Sequence, residues 1–143
     1  MKNIEDTCNE KYEIGNNLTL SIVKKEERDI KLLYAILQKR PYYHKISHKS
    51  LPTYDEHKRF ILSHPYRNWF IIHYKNHPIG NFYLTHENVL GIFIINSYEK
   101  LLTKIIKFVI NNFYPLEEIK SIRPKYFVIN VSPDNTQYQK IIE

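Results

Sequence analysis

The sequence predicts a single α/β or α+β sandwich over residues 18–143, with a mixed sheet flanked by helices. Two observations predict it. Short runs of strand character alternate with helical stretches and are not segregated from them. The most regular helical pattern in the chain also lies between two runs of nearly unbroken apolar residues. That arrangement suits a crossover joining parallel strands buried on both faces.

Residues 1–17 are polar and without pattern, and read as a flexible lead-in. Leu18 to Val23 alternates apolar with polar residues and reads as a first strand. Glu26 to Lys39 places Ile30, Leu33, Ile36 and Leu37 on one helical stripe. A loop rich in His, Lys, Pro and Tyr fills residues 40–52. Thr53 opens a second helix through a capping box with Glu56, each side chain accepting from the other's backbone N–H. The apolar stripe of this helix is Phe60 and Ile61. Trp69 to Tyr74 and Ile79 to Thr85 flank the polar turn Lys75 to Pro78 and predict a hairpin. Val89 to Ile95 reads as a strand buried on both faces. Tyr98, Leu101, Leu102, Ile105, Ile106, Val109, Ile110 and Phe113 keep helical spacing, with Asn96 as N-cap and Glu99 in the first turn. Pro115 stops that helix. Lys125 to Val131 predicts another buried strand, and Pro133 and Asp134 turn the chain into a last helix. The order is β-α-α-β-β-β-α-β-α, without internal repeat or linker.

The 143 residues are 43% apolar and 25% charged, enough to build one core and to exclude wholesale disorder. Gly15, Gly80 and Gly91 are the three glycines, where a frequency of about 7% would give roughly ten. That excludes Gly-rich low complexity and argues against a Gly-rich phosphate loop. A net charge of +6 suits an anionic partner such as nucleic acid or a phosphorylated cofactor, and equally a solvated basic surface. Cys8 is the single cysteine, so no intrachain disulfide forms and a reducing compartment is expected. The N-terminus lacks a signal-peptide core, and Val89 to Ile95 is too short to span a bilayer. A cytoplasmic protein without a membrane partner is therefore expected.

An ordered set of motifs resembles the GNAT (N-acetyltransferase) superfamily. Leu51-Pro-Thr-Tyr-Asp-Glu-His57 followed by His64-Pro-Tyr-Arg-Asn-Trp69 is similar to a Leu-Pro-Thr…Glu-His helix and Pro-Tyr-Arg-x-Trp in one branch of that family. Pro78-Ile-Gly80 resembles the start of the family's third strand, and Gly91-Ile-Phe-Ile94 its fourth. Pro133-Asp-Asn135, with Ile141, Ile142 and Glu143, resembles the Asn-x-x-Ala-x-x-Leu-Tyr-Glu-Lys-x-Gly-Phe signature. The resemblance covers residues 18–143 and implies a mixed, mostly antiparallel sheet. It implies acetyl-CoA as co-substrate, held along Phe93, Ile94 and Ile95, by Lys100, Leu101, Leu102, Thr103 and Lys104 at the following helix N-terminus, and by Asn135. The physical basis is general, since orphan N–H groups and the positive end of a helix dipole suit pyrophosphate. No metal is implied.

This chain departs from the family pattern at three places. The pyrophosphate loop Arg/Gln-x-x-Gly-x-Gly/Ala falls on Ser97, Lys100 and Leu102, without a glycine. Val89 stands where relatives carry a carboxylate, and Ile142 where they carry the tyrosine that protonates the leaving thiolate. The sequence stops at Glu143, before Lys-x-Gly-Phe, so the C-terminal strand or strands are expected to be missing.

Glu87 and His57 are the residues that could replace the absent base, with His86, Tyr66, Arg67 and Trp69 as acceptor-side residues. Each also has a plain structural reading, as a polar turn, a helix face or core. His44/His48 and His73/His77 have four-residue spacing, but the first pair lies in a loop and the second straddles a hairpin turn, so neither predicts a metal site. Tyr42, Tyr43, Tyr54 and Tyr66 amid Lys and Arg carry no RNA-binding signature, which leaves nucleic acid resting on charge alone.

The leading expectation is an acetyl-CoA-dependent N-acetyltransferase acting on a primary amine of a small molecule or a peptide. The Tyr54-Asp-Glu-His57 pattern resembles nucleotide-sugar N-acetyltransferases and so suggests an amino sugar. The rival is a degenerate GNAT-fold binding or scaffold module that does not use acetyl-CoA. An exposed last strand would admit a homodimer.

Overall fold

A computed structural model describes residues 11–15, 17–39, 51–95 and 97–130. One six-stranded sheet in the order β1-β2-β3-β4-β5-β6 organises them. The strands are β1 (Lys11–Gly15), β2 (Leu18–Ile22), β3 (Asn68–Tyr74), β4 (His77–Leu84), β5 (Val89–Ile94) and β6 (Val128–Ile129). Helices α1 (Glu27–Gln38) and α2 (Tyr54–Leu62) connect β2 to β3, and α3 (Leu102–Asn112) connects β5 to β6. Every neighbouring pair is antiparallel except β5–β6, which is parallel. The mixed, mostly antiparallel sheet is the one expected.

Residues alternate across each strand, so the sheet has two cores. Leu18, Leu20, Phe70, Ile72, Phe82, Leu84, Leu90 and Ile94 face α3, where Leu102, Ile105, Val109 and Phe113 close on them. Trp69, Ile71 and Phe93 face the other way, against Ile30, Leu33 and Ile36 of α1 and Ile61 of α2.

The capping box is present. Thr53 Oγ1 accepts from Glu56 N at 3.2 Å, and Glu56 Oε1 accepts from Thr53 N at 2.9 Å. The β3–β4 hairpin turns on Lys75 and Asn76, both with positive φ (50° and 66°), a type I′ turn built without glycine. All three glycines avoid positive φ. Gly80 serves close approach instead, since a Cβ there would lie 2.1 Å from the Phe93 carbonyl oxygen of β5.

Four expectations need correction. Lys11–Gly15, assigned to the lead-in, is a strand paired with β2; it is short, sits at the sheet edge and has only one neighbour to reveal it. Residues 1–10 lie outside the described residues. Of the run expected from Lys125 to Val131 as a buried strand, Val131 lies outside the described residues, and among the rest Val128 and Ile129 alone pair, both half-buried, because the approach from Lys125 to Phe127 is irregular backbone. The long helix starts at Leu102, after a 3₁₀ turn over Glu99–Leu101, and Ile110 on its expected stripe is 53% exposed. Phe60, expected on the apolar stripe of α2, is exposed as well; Ile61 and His57 are the buried pair. The proposed N-cap Asn96, the helix after Asp134 and the tyrosines and histidines of 40–50 fall outside the described residues.

Candidate functional site

The site is defined by what β5 does along its length. Residues Gly80 to Leu84 of β4 pair with Leu90 to Ile94 of β5. On its other side β5 pairs with β6 only at Val89↔Val128 and Leu90↔Ile129. Beyond Leu90, β4 is the only strand alongside β5 among the described residues. Among the described residues the parallel ladder holds these two pairs, and Asn130 lies outside it. Phe93 and Ile94 are buried, one toward each core, and Ile95 donates its N–H to the Ile79 carbonyl at 2.7 Å.

The chain runs from β5 through the 3₁₀ turn into α3. Two amides there are already used: Leu101 N–H bonds the Tyr98 carbonyl at 2.9 Å, and Leu102 N–H bonds the Glu99 carbonyl. The Leu102 side chain is in the core. Thr103 and Lys104, both exposed, occupy the first turn of α3, where helix amides lack i−4 partners. Lys100 is also exposed. Burial raises the Glu99 pKa, which makes its carboxylate easier to neutralise beside an anion.

On the α1–α2 side an aromatic group flanks β5. The Tyr66 and Tyr83 rings stack at 3.8 Å with 5° between planes, Trp69 meets Tyr66 edge-on at 4.8 Å, and Phe60 meets both Tyr66 and Trp69. Tyr83 lies over Gly91, where a Cβ would come within 2.1 Å of the ring. A side chain at Gly91 would push the Tyr83 ring out of its stack with Tyr66. Trp69 is buried and donates Nε1–H to Asn81 Oδ1 at 3.1 Å.

The remaining predicted residues are dispersed. Arg67 spends one guanidinium N–H on the Tyr114 carbonyl at 2.9 Å. His86 offers its backbone carbonyl to Arg123 at 3.0 Å. Glu87 is exposed in the β4–β5 turn, its N–H donating to Thr85 Oγ1 at 3.2 Å. His57 is buried between the two helices, its ring 5.2 Å from Tyr34 and hydrogen-bonded to the Ile30 carbonyl, while its Nε2 has no partner. Burial lowers its pKa, partly opposed by that carbonyl. Asn135 lies outside the described residues. His73 bonds Ser21 Oγ at 3.0 Å.

Sequence reasoning missed Asn88. It has φ 64° and is completely buried. Its Nδ2 donates to the carbonyls of Leu116 (2.8 Å) and Pro124 (2.7 Å), and its Oδ1 accepts from Leu116 N (2.8 Å). The only available signal was an Asn in a turn, which is a common and uninformative one.

No family model and no curated protein sequence matches the chain. Solved structures do match. The acetyltransferase from Salmonella typhimurium that modifies the N-terminal serine of ribosomal protein L7/L12 is 12% identical, with TM-score 0.56, covering 92% of this chain and 83% of that one. The aminoglycoside acetyltransferase AAC(6')-Ib, in complex with paromomycin and acetyl-CoA, is 16% identical, with TM-score 0.59 and coverages of 88% and 80%. An acetyltransferase from Thermus thermophilus is 19% identical, with TM-score 0.50 and coverages of 64% and 68%. The chain has the fold of the GNAT acetyltransferases.

Proposed function

We propose that this GNAT-fold chain is an N-acetyltransferase that uses acetyl-CoA to acetylate a primary amine. The observation that carries the reading is the fold itself, in which β5 takes β6 as its one parallel neighbour among the described residues and leads through the 3₁₀ turn into α3. The residues present fit the co-substrate. By the family resemblance an extended arm would run along Phe93, Ile94 and Ile95, and the first turn of α3, with Lys100, Thr103 and Lys104 exposed, suits a pyrophosphate. Acetyl-CoA, when bound, supplies an activated thioester. The chain must then orient the amine, exclude water and take up a proton.

Of the two candidate bases, Glu87 is the better placed. It is exposed, two residues before Val89, whereas His57 is enclosed by α1 and α2. Tyr66 and Tyr83, half-buried and stacked, offer a flat wall to the acceptor, which favours an amine carried on a ring such as an amino sugar. Arg67 spends a guanidinium N–H on the Tyr114 carbonyl, whereas His86 gives only its backbone carbonyl to Arg123 and keeps an exposed side chain as an acceptor-side candidate.

The sequence departures keep one alternative in play, a binding module on the same fold that takes no CoA. One observation favours it: the Leu101 and Leu102 amides are already bonded within the 3₁₀ turn. Isothermal titration separates the two. Acetyl-CoA and CoA are expected to bind, and absence of heat at high micromolar ligand defeats the enzyme reading. With an acceptor found from a panel of amino sugars, peptides and polyamines, Glu87→Gln is expected to lower kcat by about 10²-fold, and His57→Phe far less.

A further inference from the structure

We propose that Asn88 is a positioning residue that fixes the register of β6 on β5, and thereby the strand pairing beside the proposed CoA site. The inference rests on the acetyl-CoA reading for its functional half only. The two parallel residue pairs among the described residues are too few to fix a register by themselves. Sliding β6 by one residue along β5 would also exchange its two faces, so something outside the ladder must hold its register.

Asn88 is placed to do this. Its backbone carbonyl accepts from Val128 N at 2.9 Å, and Val128 is the residue with which β6 begins. Its side chain meanwhile binds the segment that delivers β6. Leu116 and Pro124 lie 28 and 36 residues further along, in a stretch between α3 and β6 without helix or ladder strand. The amide uses both donors and its oxygen, so it specifies the position of two separate backbone sites. Arg123 adds a weaker, more exposed tie to the same turn, through the carbonyls of His86 (3.0 Å) and Glu117 (2.6 Å). The left-handed backbone at Asn88 is one that Asn and Gly adopt with little strain, which aims the amide inward while Thr85 closes the turn around it.

Asn88→Gly keeps the backbone conformation and deletes the side-chain bonds. The experiment compares wild type, Asn88→Gly and, as a destabilised control remote from the turn, Thr53→Ala, all well below their melting temperatures. Amide hydrogen exchange and CoA titration are the readouts. Asn88→Gly is expected to speed exchange at Val128 and Ile129 about tenfold beyond any change in β3 and β4, and to weaken CoA by about tenfold, the factor that one lost buried hydrogen bond represents. Thr53→Ala is expected to lower the melting temperature and leave CoA affinity unchanged. Uniform acceleration across the sheet, or local acceleration with unchanged CoA affinity, overturns the proposal. If Asn88→Gly does not fold, Arg123→Ala carries the same measurements, with about threefold effects expected. Failure of the wild type to bind CoA defeats the proposed function, not the placement of β6, which the exchange result then decides alone.

Discussion

The two faces of the sheet are made of different materials. The α3 face buries Leu, Ile, Val and Phe, with Phe70 stacked on Phe82 at 5.0 Å and Phe113 edge-on to Phe70 at 6.0 Å. The α1–α2 face buries a histidine and a tryptophan, and carries the polar-tipped rings of Tyr34, Tyr54, Tyr66 and Tyr83. Alternation places the Ser21–His73 pair there too. The first face is specified by volume and has nothing to titrate in its centre. The second is specified by shape and hydrogen bonding together, and its packing answers to pH. One sheet thus separates the work of cohesion from the work of chemistry.

Phe82→Ala tests the volume-defined face. Phe82 is fully buried, so its truncation is expected to cost about 3–5 kcal/mol, equally at pH 6 and pH 8, in denaturant unfolding. A marked pH dependence would break the contrast. Gly80→Ala tests the contact between β4 and β5 that both faces share. Its Cβ meets backbone, which cannot rotate away, and a loss of about 1–3 kcal/mol is expected from thermal melts; a neutral result would mean the strands can spread freely. Thr53→Ala removes the cap that starts α2, at about 1 kcal/mol, and should leave the α3 face unperturbed by near-UV dichroism.

The smallest effect is the most discriminating. Burial lowers the pKa of His57, and burial followed by the Lys11 and Arg28 charges lowers that of His73. With folded-state values below the ordinary 6.5, the unfolded chain takes up protons first. The stability these groups contribute is present above that value and is lost as pH falls through it toward the folded values. Melting temperature is expected to decline from pH 7 to pH 5, and His57→Phe to flatten part of that decline. An unchanged slope would show that the α1–α2 face does not sense protons through His57.

Legibility in the sequence followed the range of the interactions. The Thr53–Glu56 box, the hairpin about Lys75–Asn76 and the apolar stripe of α3 all depend on residues three to eight apart, and all were readable. β1 was not, although Tyr12 and Ile14 alternate with Lys11 and Glu13, because four residues of alternation at an edge do not stand out from a polar lead-in. β6 was overextended because apolar composition shows burial tendency but not how many residues find a ladder partner. Of the site, the run Phe93 to Ile95 and the start of the following helix were singled out by resemblance to a family, whereas the occupied amides of Leu101 and Leu102 and the buried amide of Asn88 were invisible. Those features depend on where the backbone stands, and for Asn88 on residues some thirty positions away.

The strand order carries a consequence for how the molecule assembles. β3, β4 and β5 follow one another through short turns, so this meander can zip up locally, on a scale of about 1–10 μs per hairpin. β6 reaches its neighbour only after the entire stretch from Ile94 to Val128 has been folded back, the kind of long closure that slows folding. That topology predicts a meander that forms before β6 joins it, so substitutions at Asn88 or Arg123 are expected to speed unfolding more than they slow folding.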